Sequence, residues 1–583
     1  MDDELARAVA ASRTAFDVER TARDKADAAL QQALALSLSD ASLPSSESAG
    51  MSTPAVIESA APTGRLRRSE AMAKFGLGDA DLFFVKATDG TFAAADVERV
   101  AARKRGSAAG RATTAKRPRI SNYSFVDERV RVVAEGSAGG GDYVLCVLQL
   151  ALRVEGNPPL LAAARAARDA GCHLKVAVML RCRTARHGAF ELESLRDVAV
   201  GLAGAADACV AVLGEAAAPL AALAAGARAV FCDDCPLEPY RSAISALARS
   251  GRTVSAVDSA CVVPFRAPEA TRACKRAGGF RSATAARRAK FFAGPGFDAL
   301  DRELLVGRAC VYDDVCRDLL DGEPGAIDRV LDGVPTCNRA VRRVAMVGGA
   351  TFAKKRWASY KSKGLGSYGK RRNDATSVNS VSRLSAHVHY GCISVFAMAR
   401  DAHAANASKF LDELLVFREM GYAFCGKHEA AIVKNAYNTL PAWARDQLAD
   451  HAGDARKAIA PAALERAESG DVMWDAMQRS LIRHGELHNN LRMTWGKAFL
   501  KWSPTPRGAF DLAMRLNDTY ALDGLDPNSY TGVAWCFGGF DGPKKPKTTP
   551  VTGSLRVRPT STHSRIRDRY VALVDGAYPA PIL

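Results

Sequence analysis

Polar and aromatic side chains share one face of a helix predicted near the carboxyl end of the chain. In "ELHNNLRMTWGKAFLKW", residues 486–502, helical spacing aligns His488, Arg492, Trp495, Phe499 and Trp502. A core stripe is normally apolar throughout, whereas this one begins with a histidine and an arginine. Its two tryptophans lie two turns apart, a rise of about 10 Å. Simple core packing does not require a cation and two indoles along one line.

A second segment could hold a phosphate group. "SVSRLSAHVHYGCIS" predicts the start of a helix, with Ser382 and Ser385 on either side of Arg383. Hydroxyls, free backbone amides and a cation at a helix N-terminus form a phosphate cradle. An ordinary N-cap with a surface arginine explains this motif alone equally well. Combined with the aromatic stripe, the cradle predicts an aromatic cofactor that carries a pyrophosphate.

Carboxylates gather at two further places. Asp523, Asp526 and Asn528 lie in "LDGLDPNSY", where Asp and Asn form turns more often than they bind metals, so we predict no metal site. Glu413 and Glu419 lie on one predicted helix, for which a solvated charged face is the default. Because Glu413 is embedded in "LDELLVF", we expect it to be the more buried of the two.

The chain that must position these residues divides into an α/β part and a helical part. Five short apolar strands alternate with Ala-rich helical stretches, which predicts a Rossmann-like domain with a parallel sheet over residues 141–264. No GxGxxG follows the first strand, so the dinucleotide fingerprint is absent. Residues 265–340 are a basic, weakly periodic connection between domains. Residues 341–583 have helical periodicity and predict an all-helical domain.

The amino-terminal region has a different composition. Residues 1–62 are Ala-rich and predict one or two helices with a flexible linker, and residues 63–140 are predicted to be a basic, mostly disordered linker. The formal net charge of +17 favours a polyanionic partner such as nucleic acid. Fourteen cysteines without repeated spacing indicate free thiols in a reducing, intracellular compartment. The acidic start "MDDEL" fits no secretory signal, and no apolar run is long enough to span a membrane.

Four segments of the helical part together resemble the photolyase/cryptochrome family, and within it the class II cyclobutane pyrimidine dimer photolyases. They are "RLSAHVHYGCIS", "FLDELLVFREMGYAFC", "WDAMQRSLIRHGELHNNLRMTWGKAFLKW" and "LNDTYALDGLDPNSYTGVAWCFGG". The resemblance implies an antenna-type α/β domain, a helical domain that binds FAD, and light-driven electron transfer from reduced FAD to pyrimidine dimers in DNA. We expect a monomer, and the resemblance leaves open an antenna chromophore of unknown identity.

The resemblance also implies roles for residues around the cofactor. Together with Arg383 from the phosphate cradle, the expected FAD contacts are Tyr368, Ser382, Arg383, Leu384, Ser385, Asn489, Arg492 and Asp523. The asparagine that faces flavin N5 falls on Asn517 in the class II pattern and on Asn528 in that of other classes, so both stay candidates. Trp495 and Trp502, with Trp474 one helix earlier, match the class II electron-transfer relay.

For a dimer flipped out of the duplex, Glu413 matches the carboxyl group that hydrogen-bonds the bases, and Met493 and Trp535 match residues that pack against it. Phe417 stands where class II relatives usually carry a tryptophan that helps to sandwich the dimer. Phenylalanine stacks over less area and lacks the indole N–H. Dimer repair is therefore the first hypothesis. A flavin photoreceptor without efficient repair is the second, and a ubiquitin-dependent adaptor that keeps the fold as a scaffold is the third.

Two tail segments resemble the ubiquitin-interacting motif. In "DDELARAVAASRTAFD" and "DAALQQALALSLSD", a leucine, an alanine and a serine share a predicted helix face: Leu5, Ala8, Ser12, Leu30, Ala33 and Ser37. An Ala-rich helix without a special role is the alternative, and the repetition favours binding to ubiquitin or ubiquitinated proteins. Basic clusters at residues 103–105 and 116–119 are spaced as in a bipartite nuclear import signal, or belong to a linker that grips DNA. We predict a nuclear protein.

Overall fold

The computed structural model describes residues 125–136, 141–214, 218–294, 310–377 and 379–576, together with the backbone of residues 65–67, 87–88, 91–93 and 217. All of these residues belong to one compact unit, Pro62–Leu583. The predicted ubiquitin-binding motifs and both basic clusters lie outside the described residues and stay predictions. All fourteen cysteines are described, and each is a free thiol. None of the described helices is both long and apolar enough to cross a membrane.

The strands of the described residues form two sheets. They are β1 Arg65–Arg67, β2 Ala87–Thr88, β3 Thr91–Ala93, β4 Val130–Ala134, β5 Tyr143–Leu148, β6 His173–Leu180, β7 Ala208–Leu213, β8 Ala229–Asp233, β9 Val254–Val257 and β10 Val311–Tyr312. The larger sheet has the order β10-β7-β6-β5-β8-β9-β4. Its strands are parallel except β4, which pairs antiparallel with β9 at one edge. In the register, Val144 of β5 lies opposite Leu174 and Ala229. The first three strands form a small antiparallel sheet.

Helices cover the large sheet and build the rest of the chain. Those before residue 340 are α1 Pro158–Asp169, α2 Ala185–Leu202, α3 Ala217–Ala225, α4 Tyr240–Ala248, α5 Pro268–Ala273, α6 Ala277–Ala283, α7 Ala285–Ala293, α8 Asp314–Asp321 and α9 Ala326–Asp332. Those that follow are α10 Ala350–Lys363, α11 Tyr368–Arg371, α12 Ser385–His389, α13 Val395–Ala404, α14 Ser408–Asp412, α15 Glu419–Asn435, α16 Ala442–Asp450, α17 Pro461–Glu465, α18 Val472–His484, α19 Asn489–Trp502, α20 Pro506–Tyr520, α21 Pro527–Cys536 and α22 Arg567–Asp575. A π-helix, Glu413–Arg418, joins α14 to α15.

The predicted strands and helices of the two parts are present, and further elements occur in segments for which the sequence predicts a linker or a connection. Strands β5 to β9 coincide with the five predicted strands, and β5 is buried along nearly its whole length. Strand β4 lies in the segment for which the sequence predicts a mostly disordered linker. The prediction misses this strand because a half-buried edge strand carries a weak apolar signal. The segment 265–340, predicted as a connection, forms α5 to α9 and adds β10 to the sheet beside β7.

Buried arginines tie the sheet part to the helical part. Arg186, from α2, donates through Nη1 to the carbonyl oxygen of Leu481 at 2.8 Å, at the end of α18. Arg153 donates through Nη1 to the carbonyl oxygen of Gly391 at 2.8 Å. Both residues are 3% exposed, and a cation is electrostatically favourable at the carboxyl end of a helix such as α18. Part of the positive charge is therefore structural and does not face a polyanionic partner.

Candidate functional site

A cavity of about 500 Å³ opens in the helical part, a volume typical of ligand sites. We call it the main cavity. The predicted site residues that line it are Ser382, Leu384, Ser385, Glu413, Phe417, Asn489, Arg492, Met493, Asp523, Asn528 and Trp535. They come from segments far apart in the sequence, so the fold brings most of the predicted site together. Tyr368, Arg383, Asn517 and the three relay tryptophans do not line it.

One irregular helix presents Glu413 and Phe417 to the main cavity. It runs from α14 through the π-helix Glu413–Arg418 into α15. A π-turn changes which side chains share a helix face, and such turns are frequent at functional sites. The irregularity coincides with the residues predicted to contact the substrate.

Glu413 has two cationic partners in the main cavity. Its Oε1 lies 2.9 Å from Arg372 Nη2 and 2.6 Å from Lys409 Nζ, and both partners line the cavity. The side chain of Glu413 is 25% exposed. The carboxylate is thus held at the cavity wall and is accessible to a ligand.

The prediction that Glu413 would be more buried than Glu419 was wrong. Glu419 is 1% exposed, and it accepts the backbone N–H of Val262 at 2.6 Å and that of Val263 at 3.3 Å. Burial raises the pKa of Glu419 to about 8, although the N–H group of Val262 opposes that shift. This carboxyl group joins α15 to a loop of the sheet part, a tertiary contact that the local sequence does not reveal.

Arg492 and Asp523 form a two-bonded ion pair at the cavity wall. Arg492 Nη1 donates to Asp523 Oδ2 at 3.2 Å, and Nη2 donates to Oδ1 at 2.9 Å. Each side chain is 14% exposed. The geometry fixes the plane of the guanidinium group next to the cavity. Arg492 Nε is buried and finds no hydrogen-bond partner among the residues that the structure describes.

The two candidate asparagines occupy different positions. Asn528 lines the cavity near the start of α21, where its backbone N–H donates to Asp526 Oδ1 at 2.7 Å. Asn517, on α20, is fully buried, and its Nδ2 donates to Ser529 Oγ at 2.7 Å. Ser529 lines the cavity, so Asn517 lies one side chain behind the wall. Its Oδ1 is buried, and no described residue donates a hydrogen bond to it.

Asp526 joins the main cavity to a buried polar network. The hydroxyl of Tyr422 donates to Asp526 Oδ2 at 2.9 Å, and His389 Nδ1 lies 3.2 Å from the same oxygen. Arg418, which lines the cavity, donates to the Tyr422 hydroxyl at 3.0 Å. Burial by itself would raise the pKa of Asp526, but the hydrogen bond with His389 and the charge of Arg418 outweigh it and lower the pKa. Asp526 is an ionised helix cap, which agrees with the turn prediction.

The phosphate cradle is only partly present. Ser382, Leu384 and Ser385 line the main cavity, and α12 begins at Ser385. Arg383 was expected to contact the cofactor, but its side chain is 6% exposed and its Nε donates to Glu486 Oε2 at 3.1 Å. Its φ of 55° is left-handed, a conformation that non-glycine residues rarely adopt. A buried arginine needs a carboxylate, and Glu486 satisfies it away from the cavity lining.

Aromatic residues lie at the cavity wall and behind it. The rings of Phe417 and Trp535 are 5.9 Å apart at 36°, both are half-buried, and both line the cavity with Met493. They offer aromatic surface to a base-like ligand, with the two rings tilted to each other. Tyr368 packs edge-on against Phe410, a cavity residue, at 5.3 Å. Tyr368 therefore supports the wall from behind.

The three relay tryptophans form one cluster. Trp474 and Trp495 are fully buried and parallel, with ring centroids 6.4 Å apart, and Trp474 meets Trp502 edge-on at 5.1 Å. Trp474 therefore lies between the other two, so the contact order is Trp495, Trp474, Trp502. Trp474 Nε1 donates to the carbonyl oxygen of Trp495 at 3.0 Å, and Trp495 Nε1 donates to Gln478 Oε1 at 2.9 Å.

Several cavity residues escaped the sequence reasoning. They include Arg372, Lys409, Arg418 and Ser529. Lys409 precedes Glu413 by four residues, so helical spacing could have identified that ion pair. Arg372 and Ser529 reach the site only through the tertiary fold, and no local pattern marks them.

Unpaired polar atoms indicate that the main cavity fits a ligand. Arg372 Nε, Arg492 Nε and Asn517 Oδ1 are buried without hydrogen-bond partners among the described residues. A buried unpaired polar group costs about 1–3 kcal/mol, so such groups call for a partner. The two arginine donors, on residues that line the cavity, suit the carbonyl oxygens of a flavin, and the serine hydroxyls suit its phosphates. Asn517 Oδ1 is an unpaired acceptor one side chain behind the wall.

No protein-family model matches the sequence. The curated proteins to which it is similar include two named deoxyribodipyrimidine photo-lyase. The one from Methanothermobacter thermautotrophicus is 36% identical over 196 residues, which cover 33% of this chain and 43% of the relative. The one from Oryza sativa subsp. japonica is 36% identical over 204 residues, which cover 33% of this chain and 39% of the relative. The chain thus matches about two fifths of the length of these relatives.

Two solved structures share the architecture over most of the chain. A class III photolyase from Agrobacterium tumefaciens has a TM-score of 0.50 at 18% identity and covers 75% of this chain and 87% of its own. A cryptochrome from Synechocystis sp. PCC6803 has a TM-score of 0.52 at 13% identity and covers 74% of this chain and 88% of its own. The predicted fold class is confirmed at this level: the chain has a photolyase-like fold, with a parallel-rich sheet part followed by a helical part.

Proposed function

We propose that the chain is a deoxyribodipyrimidine photo-lyase, an enzyme that uses light and reduced FAD to split cyclobutane pyrimidine dimers in DNA. The observation that carries this proposal is that residues expected to hold the cofactor and residues expected to hold the lesion line one cavity. The photo-lyase names of relatives at 36% identity support it. The class II assignment rests on the sequence resemblance.

Residues of the main cavity would hold FAD. Ser382 and Ser385 would bind its phosphates, and the Arg492–Asp523 ion pair would hold the edge of the flavin ring. Asn517 Oδ1, which has no partner among the described residues, would accept a flavin N–H group once Ser529, which separates it from the cavity, turns aside. When bound and reduced, FAD supplies an electron donor that light can excite. The chain itself fixes the distance and orientation of the two reactants and excludes water.

The lesion would occupy the same cavity after flipping out of the duplex. Glu413 would exchange part of its pairing with Arg372 and Lys409 for hydrogen bonds to the pyrimidine bases. Phe417 and Trp535 would stack on the bases, and such stacking contributes about 1–3 kcal/mol per base. Flipping costs a few kcal/mol, least where a dimer has already weakened stacking. Stacking and the carboxylate together can offset that cost.

The tryptophan cluster would return electrons to oxidised flavin. Trp495 lies one turn beyond the cavity residue Arg492 on α19, and the contact order leads outward through Trp474 to Trp502. Trp502 is half-buried, whereas the other two are fully buried. The cluster thus offers a stepwise route between the cavity region and the surface.

A repair assay tests the proposal. Full-length protein is loaded with FAD, chemically reduced, and illuminated with blue light in the presence of an oligonucleotide that carries one cyclobutane dimer or one (6-4) product. We expect loss of the dimer in the light, none in the dark, and no loss of the (6-4) product. Bound, reduced flavin without light-dependent loss of dimers would contradict the proposal.

A flavin photoreceptor without efficient repair is the second candidate. The observation that favours it is Phe417, whose ring offers less stacking area than the tryptophan of class II relatives. In that case the protein would bind and photoreduce flavin but leave dimers intact. The same assay separates the two functions.

A further inference from the structure

A second cavity, of about 440 Å³, lies at the outer end of the tryptophan cluster. Its walls include Arg456, Lys457, Lys501, Trp502, Val551 and Pro559, and none of its lining residues lines the main cavity. We call it the Trp502 cavity. The indole of Trp502 thus contacts Trp474 and also lines a cavity open to solutes.

Hydrogen bonds hold the walls of the Trp502 cavity in place. Arg456 donates to four backbone carbonyls, including those of Leu500 at 3.2 Å and His451 at 2.7 Å. The backbone N–H of Val551 donates to Asp454 Oδ2 at 2.6 Å, which fixes the loop of residues 549–553. The backbone N–H of Ile459 donates to the carbonyl oxygen of Trp502 at 2.9 Å. The cavity is therefore built by the fold and does not depend on loose surface side chains.

The cavity has an unbalanced positive charge. Lys457 and Lys501 are exposed, and neither pairs with a carboxylate among the described residues. The nearby carboxylates are occupied: Asp454 pairs with His451 at 2.7 Å, and Asp471 caps α18 and accepts from the Thr560 hydroxyl at 2.6 Å. Two free ammonium groups beside an indole and apolar walls suit a small organic anion.

We infer that the Trp502 cavity binds a small anionic one-electron reductant, such as an enediolate or a thiolate that carries a carboxylate. The inference rests on the proposed function, because the reductant acts on a Trp502 that has given up an electron. The anion loses one electron and the Trp502 radical cation gains it. No bond to the indole forms or breaks, and no proton leaves it. A thiolate oxidised in this way becomes a thiyl radical that keeps only its carboxylate charge. An enediolate monoanion releases its remaining enol proton to solvent and becomes a radical anion. Either product leaves the cavity by exchange with the solution.

Transient absorption of the indole radical tests this inference in the full-length chain loaded with FAD. The radical is generated either by a blue flash through the bound flavin or by flash oxidation with an external ruthenium photosensitiser and quencher. A Trp502→Phe variant identifies the part of the signal that comes from this indole. Ascorbate monoanion is the probe, and uncharged hydroquinone is the comparison.

We expect the decay rate in the native protein to saturate with ascorbate. The double variant Lys457→Gln/Lys501→Gln should lower that rate about fivefold at low ascorbate, roughly what two exposed ion contacts supply. Its rate with hydroquinone should not change. The matched pair Lys275→Gln/Lys434→Gln removes two exposed lysines that do not line the cavity, and it should behave like the native protein.

Equal ascorbate rates in the native protein and the cavity variant would overturn the inference, and so would an equal loss in the matched pair. If no radical forms through the bound flavin, the proposed relay fails. The photosensitiser still generates the radical in that case and decides whether the cavity binds the anion.

Discussion

The main cavity and the tryptophan cluster share helix α19 but differ in whether their buried polar groups have hydrogen-bond partners. In the cavity region, Arg492 Nε and Asn517 Oδ1 have no hydrogen-bond partner within the part of the chain that the structure describes. In the cluster, the N–H groups of the two buried indoles are bonded to Trp495 O and Gln478 Oε1. Buried polar atoms are normally paired, so the first region is incomplete without a ligand and the second is complete. Substitutions in the two regions should therefore impair different steps, namely ligand binding in the main cavity and electron transfer in the tryptophan cluster.

Removing the inner tryptophan, Trp495, should have the largest effect, and this effect should be confined to the photoreduction of flavin. We expect Trp495→Phe to abolish photoreduction of oxidised flavin, because the contact with Trp474 is the route outward. The Trp495→Phe variant, once its flavin is chemically reduced, should repair dimers at the native rate. Flavin absorbance under blue light measures the first step, and dimer loss measures the second. A fall in both would mean that the cluster also shapes the main cavity.

Breaking the Arg492–Asp523 ion pair of the main cavity should impair flavin binding instead of electron transfer. Arg492→Met removes a charged group at the wall, and we expect flavin affinity to fall about 10- to 100-fold, as for one or two charge-assisted hydrogen bonds. A flavin titration followed by fluorescence measures it. Arg515→Met, which removes an exposed ion pair with Glu465, is the matched control and should bind flavin normally. Equal affinities in both variants would place the flavin elsewhere.

Glu413→Gln should separate lesion binding from flavin binding. We expect dimer affinity to fall about tenfold, because a neutral amide replaces the carboxylate that would accept hydrogen bonds from the bases. Flavin affinity should be unchanged. Filter binding of dimer-containing DNA measures the first quantity, and a flavin titration measures the second. A loss of flavin with dimer affinity intact would reverse the assigned roles.

The two asparagines offer a comparison within the cavity region. We expect Asn517→Ala to weaken flavin binding about fivefold, the effect of one neutral hydrogen bond, because its Oδ1 is buried and unpaired. Asn528→Ala should leave flavin affinity near that of the native protein. The reverse result would assign the flavin N–H contact to Asn528.

The smallest expected effect is a gain in affinity for the dimer. Phe417→Trp enlarges the aromatic surface beside Trp535, and we expect dimer affinity to rise about threefold, within the range of aromatic pair energies. The same DNA-binding assay measures it. No gain would mean that the space beside Trp535 does not admit a larger ring.

Local patterns in the sequence predicted the elements well and the tertiary contacts poorly. The apolar runs of β5 to β9 and the helical spacing of α19 are visible in the sequence. The sequence also pointed to eleven of the residues that line the main cavity, but not to Arg372 or Ser529. The burial of Glu419 depends on the backbone of Val262, and the removal of Arg383 from the cavity depends on Glu486. Both partners are distant in sequence. The π-helix also escaped prediction, because its residues have an ordinary helical pattern.

The central claim is that light drives dimer repair in the main cavity. The most direct test is to count the dimers removed from DNA per illuminated molecule of FAD-loaded, chemically reduced protein, with native protein and Glu413→Gln side by side and a dark sample of each. We predict light-dependent removal by the native protein and slower removal by the variant. Fully reduced, flavin-bound native protein that removes no dimers in the light would contradict the claim.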